Sequence, residues 1–234
     1  MIPSPKSHVL IRRASHEDVP RLVDLNHAAY PDLVEENVVW NAAQLHGHLS
    51  TFAGGQLVVE RDGVIVGALS TFIVSPDRDP LAPHTWIEIT ADGRFADHDL
   101  RGDTLYLADV YTDPASRGTG VGSLLYDALK DLCRSLNLRR VVAGGRLWGY
   151  SEFAPRLTPR EYVAQVTEGT IRDRVLGSQL RAGFVVRDIL PNYLRDGRSG
   201  NFATLLEWTN PARAVRDLEP STSSVAPLPD REES

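Results

Sequence analysis

Apolar and polar positions along the chain change period repeatedly, and each change marks a predicted element. Val9 to Arg12 reads as a short strand. Ser15-His-Glu-Asp18 then starts a helix, with Ser15 as cap, an acidic first turn, Pro20 tolerated early, and Val19, Leu22, Val23 and Leu25 on its apolar side. Tyr30-Pro31 ends it. A second helix is predicted from about Val39 through Leu49, closed by Gly54-Gly55. Gln56–Glu60 and Val64–Val74 read as a hairpin turning at Arg61-Asp62-Gly63. Thr85–Thr90 alternates like another strand, and Ala91–Asp103 is a polar loop with Gly93, His98 and Gly102, of the kind that often carries substrate contacts.

The apolar run Leu105–Tyr111 predicts a buried strand ended by Asp113-Pro114. After Arg117-Gly-Thr-Gly-Val-Gly122, the residues Val121, Leu124, Leu125, Ala128, Leu129, Leu132 and Leu136 fall on one face of a helix. Arg140–Arg146 is the next strand, so strand, helix and strand form a parallel unit with a right-handed crossover. An insertion follows from Leu147 to about Gly169, containing the capping box Thr158-Pro-Arg-Glu161. A helix from about Ile171 to Ala182 stops at Gly183, and Phe184–Leu190 and Asn201–Trp208 read as closing strands. The pattern predicts one domain over 9–210, a flexible segment over 1–8 and a disordered tail over 211–234.

The strand–glycine turn–helix unit carries the first chemical signal. Glycines let a ligand approach the backbone, and the first N–H groups of a helix lack internal partners, so phosphate is expected there. Composition narrows the rest. With 42% hydrophobic and 24% charged residues, the 234-residue chain is an ordinary globular one. No apolar run approaches the length of a membrane span, and Met1–Lys6 lacks a signal peptide's apolar segment, so a cytoplasmic location without membrane attachment is expected. A formal charge of -6 and the lack of a basic stripe argue against nucleic acid. The single cysteine, Cys133, excludes an internal disulfide and reads as a packing residue. His46 and His48, two apart on a predicted helix, face different ways, so no metal is expected.

Arg117-Gly-Thr-Gly-Val-Gly122, between a buried strand and a helix, resembles the Q/R-x-x-G-x-G/A pattern of the GCN5-related N-acetyltransferase (GNAT) family. Ile11–Asp18, the Gln56–Val74 hairpin and Arg181-Ala-Gly-Phe184 resemble that family's opening strand and helix, its second and third strands, and the helix end before its sixth strand. The Trp86–Thr90 segment, His98, Gly144-Gly-Arg146, Gly149-Tyr150 and Tyr193 look like bacterial acetyltransferase domains sometimes fused to carbon–nitrogen hydrolases, of which the likeness covers the acetyltransferase half. The resemblance implies the GNAT acyltransferase fold: a mixed α/β (α+β) sheet of six to seven strands flanked by helices, with a helical insertion after the fifth strand.

It further implies acetyl-CoA as co-substrate and a small-molecule amine as acceptor; a homodimer is a family habit. The pyrophosphate would lie on Arg117, Gly118, Thr119, Gly120, Val121 and Gly122, and the pantetheine arm and thioester on backbone near Val110, Tyr111 and Thr112, where the family's strand splays from its neighbour. Asp109 resembles the acidic residue that faces the amine in polyamine-type members, or is a carboxylate satisfied by its neighbours; Glu88 is the next candidate base. The family's tyrosine acid, four residues before the helix-ending glycine, is replaced here by Gln179. Tyr150 and then Tyr193 are the substitutes, and each also reads as a buried hydrogen-bonded tyrosine. The departure at Gln179 keeps a second reading open, a CoA-binding sensor or interaction module of the same fold with impaired chemistry.

Overall fold

The computed structural model describes residues 8–36 and 38–213. Of the expected flexible segment over 1–8 and the expected tail over 211–234, residues 1–7 and 214–234 lie outside the described residues. One seven-stranded sheet runs in the order β1-β2-β3-β4-β5-β7-β6. Its strands are β1 (Val9–Arg13), β2 (Gln56–Arg61), β3 (Val64–Val74), β4 (Thr104–Thr112), β5 (Arg140–Arg146), β6 (Val185–Leu190) and β7 (Ala203–Thr209). Among the described strands only β4 and β5 are parallel, joined by the crossover helix α4 (Val121–Ser135) as the periodicity predicts.

Helices cover both faces. On one lie α1 (Val19–Ala29), α2 (Ala42–Phe52) and the short α3 (Trp86–Thr90), which bury Leu22, Leu25, Leu45, Trp86 and Ile89 with Trp40, Phe72 and Tyr106. On the other lie α4, α5 (Pro159–Thr167) and α6 (Arg174–Arg181), which bury Leu125, Leu129, Tyr162 and Leu176. Full burial of each such side chain contributes about 1.5–3 kcal/mol. Cys133 packs in this second core, its thiol pushed up to about 12 by burial, as expected of a packing residue.

Three expectations need correction. Thr85–Thr90 is not a strand but α3 with its cap. Thr85 accepts from Glu88 N while the Glu88 carboxylate accepts from Thr85 N and Oγ1, and Trp86, Ile89 and Thr90 are buried at helical spacing. The second predicted helix begins at Ala42 instead of Val39, because Asn41 and Gln44 form its capping box. The Ala91–Asp103 loop is tied into the core. Phe95 is buried, and His98 accepts from Ile73 N through Nδ1 while stacking on Phe52.

One irregularity governs the site. Between β3 and β4 the register passes from Thr71–Leu107 to Ser70–Asp109, leaving Ala108 as an extra residue. Leu105 and Leu107 face α4, whereas beyond the bulge Asp109 and Tyr111 face α1. If Ala108 were paired and the ladder regular, alternation would turn Asp109 towards the α4 face. Inserting one alanine between Ser70 and Thr71 would give Ala108 a partner, restore strict alternation along β4 and so bury an unpaired carboxylate among leucines, costing several kcal/mol. The variant should melt far below the parent in a thermal scan or fail to fold; an unchanged midpoint would contradict this role for the bulge.

Candidate active site

Parallel β4 and β5 deliver their following loops to the same end of the sheet, and the site is built there. After β4, Asp113 caps a single 3-10 turn by accepting from Ala115 N and pairs with Arg21 at 3.0 Å. The chain then makes the glycine turn. Gly118 and Gly120 hold φ values of +77° and +89°, which side chains with a Cβ rarely adopt, and Gly120 is the N-cap of α4. A Cβ at Gly118, Gly120 or Gly122 would meet nothing within 4 Å, so these residues border open space rather than packed protein. From behind, Arg61 donates to Thr119 Oγ1 at 3.1 Å and holds the turn. The first N–H groups of α4 point into that space without helical partners, which suits a pyrophosphate.

Upstream of the turn the sheet opens. β4 and β5 pair from Thr104–Arg140 to Leu107–Ala143 and no further, although β4 continues to Thr112 and β5 to Arg146. Backbone of Val110, Tyr111 and Thr112 on the β5 side is left without a strand partner. Across the gap, Gly144 lies against the Tyr193 ring and Gly145 against the Gln179 amide, so closely that an added Cβ would clash with each. Gln179 Oε1 is buried and has no hydrogen-bond partner among the described residues.

Asp109 stands at this opening. Its carboxylate accepts from Asn26 Nδ2 at 2.8 Å and lies 2.7 Å from Tyr30 Oη. Trp40 N donates to Asn26 Oδ1, which turns the Asn26 amide so that its N–H faces Asp109. Tyr30 Oη is also 2.8 Å from Val110 O; having one proton, it serves the carboxylate or the carbonyl, not both. Burial raises the Asp109 carboxyl to about 6 against the bonds from Tyr30 and Asn26, which favour its charge. Arg146 lies over the Tyr30 ring, 5.7 Å from its centroid, and pairs with Asp32 at 2.7 Å and Asp196 at 2.8 Å.

The other sequence candidates separate. Glu88 is exposed and its carboxylate is spent on the α3 cap, so the strand face that suggested it does not exist. The Tyr150 hydroxyl donates to Leu157 O at 3.0 Å, and its ring packs between Tyr162 and Phe202, stapling the insertion. Tyr193 is buried beside the opening, its hydroxyl 3.1 Å from Tyr106 Oη, which in turn lies 2.8 Å from His84 Nε2. Asn26, Tyr106, His84, Asp32 and Asp196 are not singled out by the sequence, and Tyr30 reads there only as the end of the first helix. The signal available for Asn26 was a polar residue on the apolar side of α1. His46 stacks on the exposed His16, whereas His48 is buried, lowered to about 4 by burial, and paired with Gly93 O.

The model of the acetyltransferase (GNAT) family matches residues 19–148. The chain belongs to this family. It is 33% identical over 200 residues to an uncharacterized N-acetyltransferase of Bacillus subtilis, YkwB, covering 86% of this chain and 88% of that one. It is 37% identical over 203 residues to the probable hydrolase YhcX of Bacillus subtilis, and there it spans 39% of the relative's length. Among solved structures, the GphF GNAT-like decarboxylase in complex with isobutyryl-CoA superposes with a TM-score of 0.72 at 25% identity, over 86% of this chain and 99% of that one. The seven-stranded mixed sheet is thus the GNAT fold. Among the described residues no helix is long and apolar enough to cross a membrane.

The raised Asp109 carboxyl has a consequence for stability. Between pH 3.8 and about 6 the folded chain holds a proton there that the unfolded chain has released. This contribution is therefore present in full at low pH and is lost as pH rises through about 6. Tyr30→Phe removes a donor that favours the carboxylate, so it should move the Asp109 midpoint higher, as followed by carboxyl NMR titration. A midpoint unchanged or lowered would show that Tyr30 does not hold this charge.

Proposed function

We propose that the chain is an acetyl-CoA-dependent N-acetyltransferase acting on the amine of a small molecule. One observation carries the reading: a partly buried, high-pKa carboxylate stands where β4 leaves β5, directly upstream of the glycine turn. The donor supplies an acyl group activated as a thioester. N–H groups of Gly118 to Gly122 and the α4 N-terminus face its pyrophosphate, with the helix dipole adding about 0.3–1 kcal/mol. The unpaired β4 backbone from Val110 to Thr112 lines the pantetheine arm, and an N–H there would face the acyl oxygen as it gains charge. One such donor contributes about 2.7–4 kcal/mol.

Asp109 takes the proton from the ammonium. An alkylammonium near pKa 10 gives its proton to a carboxyl near 6 at a cost of about 5 kcal/mol, within the ~16 kcal/mol barrier of a median turnover. An aspartate at its ordinary value would raise that cost by about 3 kcal/mol. Tyr193, packed on Gly144 at the opening, is better placed than Tyr150 to return a proton to the departing thiolate. Gln179 at the family's tyrosine position supports the alternative of a CoA-binding module without chemistry. The isobutyryl-CoA held by the GphF relative supports a variant of the leading reading, with an acyl group larger than acetyl.

Incubation with acetyl-CoA and a panel of amines should release free CoA, at a rate that rises with pH through about 6 as Asp109 ionises. Asp109→Asn should lower kcat by about 10²–10⁴-fold with little change in donor affinity. CoA binding without release for any acceptor or any short acyl donor would favour the module instead. Tyr193→Phe should lower kcat while Tyr150→Phe keeps it, and the reverse order would return the acid role to Tyr150.

A further inference from the structure

Beside the glycine turn lies a cluster that the acyl-transfer reading leaves unused. The loop leaving β5 carries Trp148, and two guanidiniums stack on it, Arg174 at 4.1 Å and Arg198 at 3.9 Å from the ring centroid. Groups that close to one centroid cannot share a face, so they lie on opposite faces, no more than about 8 Å apart. Arg174 also feels the charge of Arg117 in the glycine turn. Among the described residues, none of Arg117, Arg174 and Arg198 forms an ion pair, whereas neighbouring Arg146 has two.

Buried hydrogen bonds hold this arrangement in place. Asp173, itself buried, accepts from Val175 N and Leu176 N at the start of α6, and also from Gly149 N and Tyr162 Oη. One carboxylate therefore ties the helix start bearing Arg174 to the loop bearing Trp148. Arg198 N donates to Asp196 Oδ1 and its carbonyl accepts from Ser151 N, while its Nε is buried without a partner among the described residues. Arg174 occupies the first position of α6, where the helix dipole disfavours a cation. Apart from the longer-range pull of Asp32 on Arg174, these cations have no carboxylate partner among the described residues, and the cluster suits an anion from outside.

The chemistry of that anion follows from its neighbours. Neutral N–H groups at the glycine turn match the singly charged phosphates of a pyrophosphate diester. Guanidiniums match a terminal phosphate monoester, which carries nearly two charges at pH 7 and three open oxygens. We propose that Arg117, Arg174 and Arg198, the last two set by Trp148, bind the ribose phosphate of free CoA. The chain then discriminates nucleotide-borne acyl donors from those carrying the pantetheine arm alone. This inference rests on the acyl-CoA reading of the same opening.

Calorimetric titration of the full chain with CoA and with dephospho-CoA, which lacks only the ribose phosphate, tests it. CoA should bind at least about tenfold more tightly. Arg174→Gln and Arg198→Gln should each bring CoA towards the dephospho-CoA affinity and leave the latter unchanged. Equal affinity of the parent for both compounds, or full discrimination in both variants, would overturn the site while leaving the acyl-CoA reading intact. Failure of either compound to bind the parent would remove both.

Discussion

Four residue pairs hold β4 to β5, from Thr104–Arg140 to Leu107–Ala143, and each strand then follows its other neighbour. β4 stays paired with β3 as far as Thr112, and β5 with β7 as far as Arg146. The side chains of Tyr193 and Gln179 press on the two glycines of β5 at the point of parting, from positions that any side chain there would have to share. The gap is thus supported from three directions by ordinary packing and sheet hydrogen bonds, and requires no strain in β4 beyond a single bulge. Backbone groups that a closed sheet would consume are left for something else to use.

That bulge couples the opening to the chemistry. It turns Asp109 to the α1 face, where Asn26 and Tyr30 meet it with two hydrogen bonds. Burial outweighs the hydrogen bonds that favour its charge, from Tyr30, Asn26 and the Val110 backbone among them, and the carboxyl rises to about 6, between an ordinary aspartate and a neutral acid. Nearby Arg146 is engaged by Asp32 and Asp196. A basic carboxylate thus stands near the end of the strand whose following turn leads into a phosphate-ready helix start.

Much of the fold is legible along the chain because the relevant signals are local. The Asp62-Gly63 hairpin, the apolar face of α4, the glycine turn and the Thr158–Glu161 capping box each lie within a short window. Thr85–Thr90 shows where this fails: six residues fit a strand period and a helix turn equally, and the Thr85–Glu88 cap decides. The glycine turn and Asp109 were readable for the same local reason. Their surroundings were not. Asn26 and Tyr30 meet Asp109 from 83 and 79 residues away, and no pattern within β4 announces an extra residue at Ala108. Tyr150 stayed open between a proton donor and a buried hydrogen-bonded tyrosine because its partner, Leu157 O, is a backbone group in an insertion whose path the periodicity does not specify.

The central claim is that the space before α4 is a phosphate cradle and not a solvent-filled turn. Gly122 tests it with the least disturbance, since it lies inside the first turn of α4, a Cβ there touches nothing within 4 Å, and its φ is not of the left-handed kind. A glutamate at that position favours the helix dipole by about 0.3–1 kcal/mol while placing a carboxylate where the pyrophosphate would sit. Calorimetry of CoA binding to Gly122→Glu, beside a thermal melt, separates the two effects. The account predicts unchanged or slightly higher stability with CoA binding lost; a variant that binds CoA as tightly as the parent would contradict it.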